Sequence, residues 1–170
     1  MKKKILCLAA AAALAASLTV PAWAAVASPY GGAEAEGGDV TYTTQAQTGE
    51  ESQATQVYET IQGATSTEEE LDLLGDGLAA EVQAQLGETS VNDYSAREIG
   101  SIAASSEGPT TVTLSNLAGV TADTQGFVMY LDANGNWVYL PVAFGSRSAT
   151  FTVPYSTTII LYVRSVAVAQ

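Results

Sequence analysis

The 170-residue chain contains no histidine and one cysteine, Cys7. Its lysines are confined to Lys2, Lys3 and Lys4, and only Arg97, Arg147 and Arg164 carry positive charge after them. Each scarcity removes a class of chemistry. A serine nucleophile has no histidine base, and after residue 4 no lysine base, to activate it. A transition-metal site has no imidazole and, after residue 7, no thiolate. General acid–base work falls to carboxylates and tyrosines, and a carboxylate pair can hydrolyse glycosides. Most of the acids, however, lie in segments read below as linker or helix. The sequence therefore reads as non-enzymatic, with no cofactor and no metal. Eighteen acidic residues against six basic ones leave a net charge of −12. Such a surface repels phosphate backbones and anionic lipid, which disfavours nucleic-acid partners.

The first 24 residues read as a cleavable signal peptide. Lys2–Lys4 form a basic start, Ile5–Val20 an apolar run, Pro21 a break, and Ala22-Trp23-Ala24 a small-residue cleavage site. Ala25-Val26-Ala27 offers a second site. The apolar run of about 16 residues is short of the roughly 20 needed to span a bilayer. No later stretch is long and apolar enough to do so, so no membrane span is expected after cleavage. Cys7 lies inside the apolar run, which disfavours a lipid anchor. Cleavage removes every lysine and the cysteine, leaving three arginines against 18 acids, a net of −15. With no disulfide available, a secreted domain has to rest on its core alone. The expected location is extracellular, on a cell surface or in the medium.

Residues 25–65 read as an acidic low-complexity linker. Gly31-Gly32, Gly37-Gly38 and a Thr/Gln/Glu/Ser-rich run supply little to bury, a composition that favours disorder. The short Thr41-Tyr42-Thr43-Thr44 run is counted within it. A domain of residues 66–170 follows and opens with a helix over Glu68–Leu86. Thr67 and Glu70 carry a capping-box spacing, and Glu68–Glu70 complement the helix dipole. Leu71, Leu74, Leu78, Val82 and Leu86 form one apolar stripe. Gly75-Asp76-Gly77 is its weak point, since each interior glycine costs about 1 kcal/mol against alanine, and the helix can break there.

After Thr89 the pattern changes to strands: Arg97–Ala103, Thr110–Leu114, Gly126–Leu131, Asn136–Val142, Ala149–Val153 and Thr157–Val168. Sixteen of the acids lie between Glu34 and Glu107, and from Gly108 onward the charges sum to zero. The expected fold is α+β, mainly β: an antiparallel β-sandwich of about six strands with one amphipathic N-terminal helix. Ile159–Val163 is β-prone and uncharged, suited to a central strand. Its alternative use is pairing with another chain by edge addition.

Asn134-Gly135 marks a hairpin. A two-residue turn there pairs Leu131 with Val138 and Met129 with Leu140. Phe127, Met129, Leu131, Val138, Leu140 and Val142 then form the core face, and Val128, Tyr130, Trp137 and Tyr139 the opposite face. Tyr130, Trp137 and Tyr139 are accordingly the candidate ligand-binding residues, aromatic rings able to stack on sugars. The ordinary alternative is that the helix covers them. Asp132–Asn136 begins like a calcium-binding EF-hand loop but has Trp137 where glycine belongs and Ala143 where the bidentate glutamate belongs. It reads as a turn. Glu68–Glu70 with Asp72 and Asp76 form an acidic cluster that helix electrostatics explain without calcium.

The strand segments Phe127–Leu131, Asn134–Val138, Leu140–Val142, Ala149–Val153 and Thr158–Ile160 together resemble small C-terminal domains of secreted and surface proteins from Gram-positive, clostridia-like bacteria. The likeness covers roughly residues 66–168. Val153-Pro154-Tyr155-Ser156 and a long last strand depart from the shorter Ser-Pro ending of that pattern. The resemblance implies a structural or display module without catalytic residues. The expected function is thus an exported structural or interaction module, its partner a cell-surface protein, a glycan or a second copy of itself. The alternatives are a carbohydrate-binding module and a calcium-dependent adhesion domain.

Overall fold

The computed structural model describes residues 33–36, 39–49 and 51–165. The signal peptide and the end of the last expected strand, residues 166–168, lie outside them. In chain order the described elements are β1 (Glu34–Glu36), β2 (Val40–Thr44), α1 (Gln53–Ile61), α2 (Thr67–Leu74), α3 (Leu78–Leu86), β3 (Tyr94–Ala104), β4 (Thr110–Ser115), β5 (Gly126–Leu131), β6 (Trp137–Pro141), β7 (Ala143–Gly145), β8 (Ser148–Val153) and β9 (Thr157–Arg164). The strands form two antiparallel sheets, one in the order β1-β4-β8-β7 and one in the order β2-β3-β9-β5-β6. The chain is α+β and mainly β, as the sequence led us to expect.

The linker expectation for residues 25–65 needs correction where the chain is described; residues 25–32, 37, 38 and 50 lie outside the described residues. Residues 34–61 supply two strands and a helix. In α1, Ala54, Val57 and Ile61 are buried, an apolar face too sparse to stand out in a Gln/Thr-rich run. Its start is fixed by Ser52, whose Oγ accepts the Thr55 N–H at 3.1 Å. Tyr42 and Thr44 of β2 are buried as well. The single expected helix is two helices, broken at the glycines. Gly77 sits at φ 77°, a left-handed conformation that favours glycine, and α3 starts from it. The cap of α2 is Ser66 rather than Thr67: Ser66 Oγ accepts the Glu69 N–H at 3.2 Å. Thr67 instead donates its hydroxyl to the Tyr94 carbonyl at 2.6 Å, tying α2 to β3. Glu70 of the same helix is buried in the core.

The buried side chains fall into two clusters on the two faces of the five-stranded sheet. One joins Ile102, Val128, Ile159 and Leu161 to Val112, Leu114, Phe151 and Val153 of the other sheet. The other joins Ile99, Phe127, Met129, Ile160 and Tyr162 to Val57, Ile61, Leu71, Leu78 and Val82 of the helices. The four-stranded sheet shows the expected alternation: Val112 and Leu114 point inward, while Thr111 and Thr113 pair their hydroxyls with Thr152 and Thr150 across the strands at 3.1 and 3.0 Å. β9 lies between β3 and β5, so Ile159–Val163 is a central strand and offers no edge to another chain.

A candidate binding trough beside the β6 edge

The hairpin that carries the candidate aromatic residues has a three-residue loop. The Gly135 N–H donates to the Asp132 carbonyl at 3.1 Å, and the Asp132 N–H to the Asn136 carbonyl at 2.7 Å. Gly135 takes the left-handed conformation at φ 85° that completes a three-residue turn with a bulge. Asp132 Oδ1 accepts the N–H groups of Asn134 and Asn136, both at 2.8 Å. The Asn136 backbone in particular holds the Asp132 carboxyl below the ordinary carboxylate range.

This loop corrects the register expected from a two-residue turn. Leu131 pairs with Trp137, Tyr130 with Val138 and Met129 with Tyr139. A one-residue slip exchanges the two faces of a strand. Trp137 and Tyr139 therefore join Phe127, Met129 and Leu131 on the helix side, while Tyr130 and Leu140 pack with Val128 toward the other sheet. The three candidate residues do not share a face. Trp137 is 9% exposed. The Tyr139 ring stacks on Phe127 with centroids 5.4 Å apart, and its hydroxyl is pushed up chiefly by burial. Tyr130 meets Tyr155 edge-on at 6.3 Å.

The structure brings Trp137 and Tyr139 together with α3 in a trough of about 570 Å³, walled by Leu78, Glu81 and Val82 on one side and by Trp137, Tyr139 and Pro141 on the other. Trp137 also borders a second hollow of about 240 Å³, where Leu73 and Leu74 of α2 face Gln53 of α1. Leu73, at 49%, is the exposed large apolar side chain among the described residues. β6 is the outermost strand of its sheet. The Asp132–Asn136 bond sets the ladder phase. Hydrogen-bonded and non-hydrogen-bonded pairs alternate in an antiparallel ladder, so Val138 and Leu140 bond to β5. The N–H and C=O groups of Trp137 and Tyr139 then point away from the sheet. Pro141 follows in the same alternating set, and its missing N–H costs the ladder nothing at an edge.

Two carboxyls are buried away from this trough, on opposite faces of the five-stranded sheet. Glu70 is fully buried, and neither of its oxygens has a hydrogen-bond partner. Burial raises it to about 7. The hydroxyl of the fully buried Tyr162 faces it without reaching bonding geometry, and burial followed by the Glu70 charge pushes that hydroxyl well up. Glu98 lies on the inter-sheet side because a bulge between Ala96 and Glu98 shifts the register of β3. It too is raised to about 7 by burial, partly offset by the charge of Arg97 and by the hydrogen bond from Tyr42. The Tyr42 hydroxyl donates to Glu98 Oε2 at 3.4 Å. Sequence reading placed neither carboxyl in the core. Glu70 had a signal: with Thr67, Leu71 and Leu74 it occupies positions i+3, i, i+4 and i+7 of one helix face. The bulge that turns Glu98 inward has none.

Two other helix acids are held locally. Glu69 Oε2 accepts the N–H and hydroxyl of Thr65, both at 2.7 Å, and Glu68 Oε2 accepts Asn92 Nδ2 at 3.2 Å. Among the described residues no three acidic, histidine or cysteine side chains converge as a metal site, and no helix is long and apolar enough to cross a membrane. Comparison with protein-family models, with curated proteins and with solved structures finds no match.

Proposed function

We propose that the chain is an exported, non-enzymatic interaction module. It is a β-sandwich with helices packed on the outer face of one sheet, and it holds a partner in the trough beside β6. The shared buried cluster of the two sheets supports the sandwich reading. The observation that carries the function is the coincidence of an apolar trough with an unpaired strand edge: Trp137, Tyr139 and Pro141 supply both. Strand edges with open N–H and C=O groups are templates for pairing with another chain. Catalysis draws no support from the carboxyls, since Glu70 and Glu98 are sealed on opposite faces of one sheet and cannot flank a common substrate.

The test is a parallel peptide- and glycan-array screen of the full chain and of Gln85→Trp, which enlarges a further lining residue of α3 to fill the trough, with circular dichroism confirming that both fold. Binding by the parent that Gln85→Trp abolishes is the expected result. Binding indifferent to the filled trough, or turnover of any arrayed substrate, contradicts the reading. A sugar captured in the trough would favour the carbohydrate-binding alternative. Export is tested separately by the N-terminal mass of the secreted protein, expected to begin at Ala25.

A further inference from the structure

We propose that the partner held at β6 is an extended, basic polypeptide segment that adds to the five-stranded sheet as a further strand. This inference rests on the trough reading above and makes it specific. The open groups of Trp137 and Tyr139 are spaced two residues apart along one edge, which is the repeat of a β-strand backbone. A peptide backbone satisfies both residues, with the Pro141 carbonyl as a further acceptor, whereas a sugar or a helix does not reproduce that repeat.

Charge selects among peptides. The helical layer, residues 53–86, carries seven acidic residues, six of them besides the buried Glu70, and no lysine or arginine. Glu81 of that layer stands in the trough wall opposite Tyr139 and Pro141. An added strand directs alternate side chains toward this wall. Lysine or arginine there meets the Glu81 carboxylate and the rings of Trp137 and Tyr139. A second copy of this chain is the poorer occupant. Its own β6, Trp-Val-Tyr-Leu-Pro, brings no cation, and its helices set acid against acid.

The experiment is a titration of the ¹⁵N-labelled full chain with four synthetic peptides: alternating Lys-Val, alternating Glu-Val, alternating Ser-Val, and Lys-Val methylated on every backbone nitrogen. The Lys-Val peptide is expected to bind and to shift the amides of residues 137–141 and 78–85. The Glu-Val and methylated peptides are expected not to bind. Glu81→Lys should weaken Lys-Val binding about tenfold, since like charges face one another across an interface at a cost. Equal binding of the methylated peptide overturns strand addition. Equal binding of the Ser-Val peptide overturns the basic-partner inference while leaving the trough reading intact. Failure of all four peptides overturns both, and a concentration-dependent dimer with shifts at β6 identifies a second copy as the occupant instead.

Discussion

The two faces of the five-stranded sheet are packed in different ways. Toward the other sheet the core is largely aliphatic, Val112, Leu114, Val128, Val153, Ile159 and Leu161, and its one buried carboxyl, Glu98, has Tyr42 as hydrogen-bond partner and Arg97 as a neighbouring charge. Toward the helices the core is aromatic. Phe127 stacks on Tyr162 at 4.8 Å and on Tyr139 at 5.4 Å, and meets Tyr94 edge-on at 5.3 Å. Its buried carboxyl, Glu70, faces the Tyr162 hydroxyl without forming a hydrogen bond. The same pairing of residue types, Glu with Tyr, is satisfied on one face and unsatisfied on the other. The unsatisfied face is the one beside the trough. An unpaired buried carboxylate is costly, so the contact of α2 with the sheet weakens as Glu70 ionises.

The largest test of this contrast removes the aromatic stack. Phe127→Ala is expected to cost about 3–5 kcal/mol and Leu161→Ala, on the other face of the same sheet, about 2–5 kcal/mol. Phe127→Ala should sit at the upper end because the ring contacts vanish with it. Denaturant unfolding of the two variants reads the difference, and an equal or smaller loss for Phe127→Ala would break the contrast.

The second test is pH. Glu70 and Glu98 are each raised in the folded state from about 4.5 to about 7, so between those values the native chain holds protons that the unfolded chain has released. Stability is therefore full below about pH 4.5 and falls as pH rises toward 7 and above, by about 3 kcal/mol for each carboxyl. Glu70→Leu should shrink the difference between pH 4 and pH 8 stability by about that amount and raise the melting temperature at pH 8. Glu98→Leu should gain less at pH 8, because it leaves the Tyr42 hydroxyl unpaired at about 1–3 kcal/mol. A Glu70→Leu chain with the parent's pH profile would show that Glu70 is solvated or paired. The smallest effect concerns the anchoring of the helix layer. Ser52→Ala removes the cap of α1 and is expected to cost about 1 kcal/mol, measured as a lower denaturation midpoint at unchanged slope.

Much of the β-architecture was legible because it follows from alternation. Val112 and Leu114 against threonines, and Ala149, Phe151 and Val153 against Thr150 and Thr152, announce their strands and their inward faces. The glycines at 75 and 77 announce the helix break. What was illegible depends on distant partners. β1, β2 and α1 are too polar to predict their own burial, and only the sheet edge and the helix neighbours they join make them ordered. The candidate site was misread through one residue of loop length. Asn134-Gly135 signals a hairpin, but the Asp132 side chain, by holding the N–H groups of Asn134 and Asn136, selects the three-residue loop. That choice sends Trp137 and Tyr139 to the helix side and parts them from Tyr130.

The central claim is that β6 presents an open edge beside the trough, and amide hydrogen exchange of the full chain tests it most directly. Val138 and Leu140, bonded to β5, are expected to exchange slowly, and Trp137 and Tyr139 quickly, in strict alternation. Protection of Trp137 and Tyr139 equal to that of Val138 and Leu140 would mean that the edge is already covered, and would contradict the account.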